Sequence, residues 1–249
     1  MRYELMFPEQ ICRAIDGNWP VVLPLGVLEY HADHCAVGTD GLVVVRAMEE
    51  LEKELDMVIL PPFYYGASSF AVDSPERKGT IHVKSEVLNL LGKELFASLL
   101  RIGFRNVHCF CHHQSENFLQ GMPTDLAFKL AARQALFEFL ERERGEGWWG
   151  GEASADYYEK HHGKGENPFN WIQVHAFKAP CLQKVWPGDH AGLSETSLMM
   201  ALCPEGVDMS KPRTRWFTKA ADNASVEYGM KVKDAIMAEL RKTLGGNTN

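Results

Sequence analysis

Residues 20–40 read PVVLPLGVLEYHADHCAVGTD, and their interpretation decides the fold. The apolar run from Pro20 to Gly26 is rich in Val and Leu and too short for a buried helix, so it predicts a strand buried on both faces. A loop carrying Glu29, His31, Asp33, His34 and Asp40 follows at once. From Gly41 to Leu55 apolar and charged residues alternate at helical spacing, with Thr39 or Asp40 as the expected N-cap. A strand, a loop of ionisable groups and a helix are thus laid end to end.

The pattern repeats outward. Met57–Leu60 predicts a strand ending at Pro61-Pro62, Ser85–Arg101 an amphipathic helix, and Asn106–Cys111 a strand running into His112-His113. A long helix is expected over 116–144, stopped by Gly145 and Gly147. Leu182–Trp186 is read as a further strand, Ser194–Ala201 as a helix and Ala221–Leu244 as a closing helix. Alternating strands and helices predict a mainly parallel sheet covered on both faces. The segment 145–171 lacks periodicity and is rich in Gly, aromatic and charged residues; a loop of that length is expected to serve as a lid or an oligomer contact.

The chain has 249 residues, 45% hydrophobic and 24% charged, which excludes disorder as a general description and fits one domain over 1–249. Asp plus Glu outnumber Lys plus Arg, 33 to 26, for a net charge of −7. That balance argues against a nucleic-acid partner, because affinity for polyanions comes mainly from cations. No apolar run approaches the roughly 18 residues of a spanning helix, and MRYELMFPEQ resembles no signal peptide, so no membrane partner and a cytoplasmic location are expected. The six cysteines form no C-x-x-C pair and read as reduced, mostly buried thiols.

Three loops at predicted strand ends carry unusual chemistry, where sites of open α/β sheets lie. In the first, Glu29 and His31 are two residues apart and point to the same side of an extended chain, and Asp40 returns at its end. Carboxylates and imidazoles suit zinc, manganese or iron. The second, CHHQSEN, offers His112, His113 and Glu116; adjacent side chains diverge, which favours His113 alone of the pair. Together the loops hold about five ligands, too many for one open zinc and suited to two ions about 3.5–4 Å apart. Such a centre acidifies water and polarises a carbonyl, the equipment of a hydrolase. The third loop, WPGDHAGLSETS, holds His190 and Glu195 for proton transfer and Trp186 for stacking on a planar substrate. Ser68 is a further candidate substrate contact.

With these residues in place the chain resembles the creatininase, or creatinine amidohydrolase, family. The resemblance rests on Pro24-x-Gly26-x-x-Glu29-x-His31-x-x-His34, Gly38-Thr39-Asp40, the strand ending at His113, His190-Ala191-Gly192 with Glu195-Thr196-Ser197, and Pro204-Glu205-x-Val207-Asp208. It implies a three-layer α/β/α fold and a dinuclear site in which Glu29 and His113 hold one ion, His31 the other, and Asp40 bridges. It also implies that His190 moves protons, that Trp186 packs on the substrate, and that the protein forms homo-oligomers, commonly hexamers. A family carboxylate in the second loop aligns without a gap to Ser115, so Glu116 serves as that ligand only with a one-residue adjustment.

The expected activity is opening of a cyclic amide, or cleavage of another non-peptide C–N bond, in a small molecule. Arg77-Lys78, in the stretch RKGT where the family commonly has PGT, raises a second candidate: ring opening of an oxidised inositol of the 3-dehydro-scyllo-inosose type. Deformylation of a pyrimidine intermediate is a third, and a metal-binding protein without turnover is the non-enzymatic alternative. His34 is expected to hydrogen-bond a ligand residue.

Overall fold

The structure, a computed structural model, describes residues 1–113, 120–155, 157–160 and 167–245. The strands β1 (Val21–Leu25), β2 (Val58–Ile59), β3 (Val107–Cys111) and β4 (Ile172–Ala176) form a parallel sheet in the order β2-β1-β3-β4. Before, between and after them lie the helices α1 (Pro8–Asp16), α2 (Thr39–Leu51), α3 (Ser85–Ile102), α4 (Pro123–Arg144), α5 (Tyr157–Lys160), α6 (Pro180–Gln183), α7 (Leu193–Leu202) and α8 (Val226–Gly245). All residues of β1 and β3 are buried, as a sheet covered on both faces requires.

Alternate strand residues feed two cores, so the architecture is three-layered. Val21, Leu23, Val107, Cys109 and Ile172 pack with Phe96 of α3 and Phe128 and Leu136 of α4. Val22, Ile59 and Phe110 pack on the other face with Met48 of α2, Leu198 of α7 and Ile236 of α8. Cys109 and Cys111 belong to the first core, as the strand periodicity predicts.

Three boundaries differ from expectation. Thr39 and Asp40 open α2 and Gly38 is its N-cap, so Asp40 is freed from capping. The long helix α4 starts at Pro123, not at 116. Proline at the first helical position holds Met122 extended, and Asp125 accepts the Met122 N–H at 2.6 Å. The fourth strand is Ile172–Ala176; the stretch read as a strand begins instead in α6, where Pro180 sets up a short helical turn.

Two close approaches fix the site end of the sheet. A Cβ on Gly26 would lie 2.4 Å from the Gly41 Cα, and one on Gly41 would lie 2.1 Å from the Tyr64 ring. The first turn of α2 therefore sits directly on the end of β1. Replacing Gly26 by Ala is expected to cost about 1–3 kcal/mol by overpacking, read as a lower urea midpoint with an unchanged slope.

At the β3–β4 pairing His108 Nε2 meets Asn106 Oδ1 at 2.8 Å and His108 Nδ1 meets His175 Nε2 at 2.9 Å. One proton per ring satisfies this chain; a second on His108 would set two N–H groups against each other. Burial pushes His108 down to about 3 and His175 down to about 4, with the neighbouring imidazole adding to the effect on His108. Folded values lie below the unfolded value of about 6.5, so the unfolded chain binds more protons in that interval and stability rises with pH there. The contribution is complete above about pH 6.5 and is lost as pH falls towards 3. A His108→Gln variant should show a flatter fall in urea midpoint between pH 6.5 and 4 than the parent chain.

Candidate metal centre

The carboxyl ends of β1, β3 and β4 deliver the ionisable groups to one place, and the N-terminus of α7 completes it. Glu29, His31, Asp40, His112, His113 and Glu195 are all buried, none more than 9% exposed. Unpaired carboxylates are not tolerated at such depth, so their neighbours explain them. Asp40 presents Oδ2 to His113 Nδ1 at 3.2 Å and Oδ1 to His31 Nε2 at 3.7 Å. Glu29 Oε2 lies 3.4 Å from His113 Nδ1 and 3.9 Å from His190 Nδ1. Glu195 Oε2 lies 3.5 Å from His31 Nε2, and its Oε1 lies 3.2 Å from His112 Nε2.

Three overlapping sets have ligand atoms within 4.8 Å of one another: Glu29, Asp40 and His113; His31, Asp40 and Glu195; Glu29, His31 and His190. The donor chemistry fits a hard or borderline divalent cation. His31 supplies the test of that fit. Its Nδ1–H donates to the Glu29 carbonyl at 2.9 Å, which leaves Nε2 as the inward-facing nitrogen. That Nε2 is buried and has no hydrogen-bond partner among the described residues. A buried imidazole aimed at two carboxylates without bonding either is shaped for something placed between them.

The electrostatics agree. Burial alone would push His31 down, but the Glu195 and Asp40 carboxylates reverse this and lift it to about 10. Burial opposes ionisation of Glu195, yet His31 and His112 hold it at about 2. The same histidine, with His113, holds Asp40 well below the usual range against its own burial. Glu29, where burial prevails over His113, is raised to about 7. His190 is lowered by burial and by the charge of His31, so it is neutral at pH 7. Its Nε2–H donates to the Tyr30 carbonyl at 2.9 Å and its ring stacks on His31 with centroids 4.3 Å apart.

A cavity of about 360 Å³ opens over this cluster, the size of a small-molecule site. Its lining includes Glu29, Asp40, His113, His190, Glu195 and Ser68. Ser68 is thus in position to touch a substrate; its hydroxyl donates to the Ile81 carbonyl at 3.2 Å. Glu116 lies outside the described residues. Trp186 is placed differently from expectation: it packs against the second core and meets the Tyr228 ring edge-on at 5.3 Å, away from the described lining. Its apolar face is satisfied by α8 rather than by the cavity.

Glu195 was expected to steer His190, but its carboxylate turns to His31 and His112, and His190 takes its orientation from Tyr30. His34 shares a 3.0 Å hydrogen bond with Thr196, next in sequence to Glu195. Arg77 and Lys78 are not in the described lining; Lys78 lies over the Tyr30 ring instead. The cation that does line the cavity is Lys178, 4% exposed. Sequence reasoning passed over Lys178 and Asp189. With β4 ending at Ala176, Lys178 lies two residues beyond a strand end.

A parallel α/β sheet whose strand ends gather buried carboxylates and imidazoles under a small cavity defines a metal-dependent hydrolase. The family model described as creatinine amidohydrolase matches residues 4–242, and the chain belongs to that family, the creatininases. A creatinine amidohydrolase of Pseudomonas putida is 22% identical over 210 residues, covering 84% of this chain and 74% of that protein. Among solved structures, a tryptophan-to-phenylalanine mutant creatininase superposes with a TM-score of 0.69 at 20% identity, covering 98% of each chain. A glutamate-to-glutamine mutant creatininase complexed with creatine gives 0.67 at 18% identity, covering 99% of this chain and 98% of its own. Two more creatininases, one designated Mn and one Zn-Zn type, each give 0.64 at 20% identity over 98% of both chains.

Because His31 holds a proton at neutral pH in the absence of metal, a cation must displace it. Metal uptake at pH 7 is therefore expected to release at least one proton, and apparent affinity to rise with pH from 6 to 9. Calorimetric titration with zinc or manganese in buffers of different ionisation enthalpy measures both.

Proposed function

We propose that this chain is a dinuclear metal-dependent hydrolase that opens a cyclic amide, or cleaves a comparable non-peptide C–N bond, in a small molecule. The observation that carries the reading is Asp40, whose two oxygens face separate histidines on opposite sides, so that two ligand sets share one carboxylate. Glu29 and His113 would complete one set and His31 the other. Two divalent cations there, zinc or manganese as in the relatives, or iron, would supply an acidified water and a polarised carbonyl. The relative bound to creatine supports a compact, planar amide of the creatinine kind as the substrate class.

The chain's own residues do the rest. His190 is neutral, its Nε2–H is committed to Tyr30, and its free Nδ1 faces the cluster, so it can take a proton and deliver it to the leaving nitrogen. Glu29 Oε2 lies 3.9 Å from that Nδ1, which places His190 beside the metal set that Glu29 would join. Ser68 offers a hydroxyl to the substrate from the cavity wall, and stacking by Trp186 would require that ring to leave Tyr228. The cavity wall lacks Arg77 and Lys78, which removes the reason for preferring a cyclic polyol. The exposed rings of segment 145–171, Trp149 at 44% and Tyr158 at 65%, are suited to a contact between copies of the chain.

Two substitutions separate the roles. Asp40→Asn should lose bound metal and activity together, and full turnover by that variant would overturn the reading. His190→Gln should retain the metal and lose about 10²–10⁴-fold in kcat; loss of metal would instead make His190 a ligand. Elemental analysis of the purified protein and assay against cyclic amides measure both.

A further inference from the structure

Within the dinuclear reading the loops leave one ligand to be found among the described residues. Glu29, Asp40 and His113 form a complete set, whereas His31 has only Asp40 from the loops that resemblance identifies, and the position aligned to the family's second-loop carboxylate is Ser115. We propose that Glu195, from the first turn of α7, supplies the missing carboxylate and binds the ion held by His31 and Asp40. This inference rests on the dinuclear reading and gives Glu195 a role other than the proton transfer expected of it.

Three observations support it. First, His31, Asp40 and Glu195 present atoms within 4.8 Å of one another, and all three are buried. The inward His31 Nε2, without a hydrogen-bond partner among the described residues, lies 3.5 Å from Glu195 Oε2 and 3.7 Å from Asp40 Oδ1.

Second, Glu195 is released from the task its position would otherwise give it. An acidic residue in a first turn commonly serves the exposed N–H groups there, but Asp189 accepts the N–H groups of both Ser194 and Glu195, at 2.8 and 3.0 Å. The Glu195 side chain is instead turned back to the preceding loop. Its Oε2 accepts the Ala191 N–H at 2.6 Å, and Ala191 adopts a left-handed φ of 48°. His112 Nε2 stands 3.2 Å from the other oxygen. A carboxylate fixed by a backbone amide on the oxygen that faces His31, with His112 beside its other oxygen, has the surroundings of a fixed metal ligand.

Third, charge favours it. Two divalent cations with Glu29 and Asp40 alone would leave two uncompensated positive charges in a site shielded from water. A third carboxylate halves that excess, and the cost of buried charge falls accordingly.

Metal stoichiometry decides the matter. The parent chain, Glu195→Gln and Glu116→Gln are dialysed to equilibrium against zinc or manganese and assayed for bound metal. The expected result is two ions per parent chain, two per Glu116→Gln chain, and one per Glu195→Gln chain. The second ion should bind the Glu195→Gln variant over about 100-fold more weakly, beyond the loss typical of a residue that only supports a ligand. In the cobalt-loaded protein the visible absorption of that ion should change with it. Should the glutamine variant fail to fold, Glu195→Asp gives the same test, with selective weakening of one ion. Two ions held by Glu195→Gln at parental affinity, or loss of the second ion from Glu116→Gln instead, would overturn the assignment and leave the dinuclear reading intact. Fewer than two ions on the parent chain would overturn both.

Discussion

Everything at the carboxyl end of this sheet follows from the burial of Asp40. A carboxylate removed from water must be met by positive charge or by hydrogen-bond donors, and Asp40 is met on both sides by imidazoles. Those imidazoles are themselves buried and would ordinarily be neutral. Their neighbouring carboxylates lift both His31 and His113 against the effect of burial, while burial itself raises Glu29 to about 7. The side chains already converge, so a metal ion would meet ligand atoms that lie within 4.8 Å of one another.

The framework is rigid for reasons set elsewhere in the chain. Gly26 and Gly41 bring the start of α2 into direct contact with the end of β1. Asp40 is thereby fixed relative to Glu29 by backbone contact. Residues that bend the backbone out of its preferred regions cluster here too: Ala32, Ser69 and Ala191 all have positive φ. Ala32 lies beside His31, Ser69 beside Ser68 and Ala191 beside His190. Such strain is sustained where surrounding structure imposes it and is characteristic of functional loops.

Much of this was legible in the sequence. The uninterrupted apolar run before Gly26 announced a two-sided strand, and the Glu29-x-His31 spacing and the position of Asp40 announced a shared site, which the structure brings together. The edge strand β4 was not legible. Its residues, Ile172–Ala176, include Gln173 and His175 and follow an aromatic stretch, so local pattern gave no period. Tertiary pairing with β3 decides their conformation. The misplacement had a consequence: Lys178, just beyond β4, could not be seen as a cavity residue. The orientation of Glu195 was likewise hidden, because it depends on Asp189 taking over the helix N-terminus. The displacement of Trp186 depends on the packing of α8, some forty residues away in the chain.

The order in which the chain is made gives the site a further property. Glu29, His31 and Asp40 leave the ribosome before His113, and His113 before Glu195. β3, which carries His113, pairs with β1 in parallel register, a connection that cannot form until the intervening helices are in place. A partly made chain therefore offers only the ligands of the first loop, without the histidine and carboxylate that lie far along the sequence. In small zinc modules the metal organises the fold; here the side chains that could hold a metal converge only once the sheet and its two cores are formed.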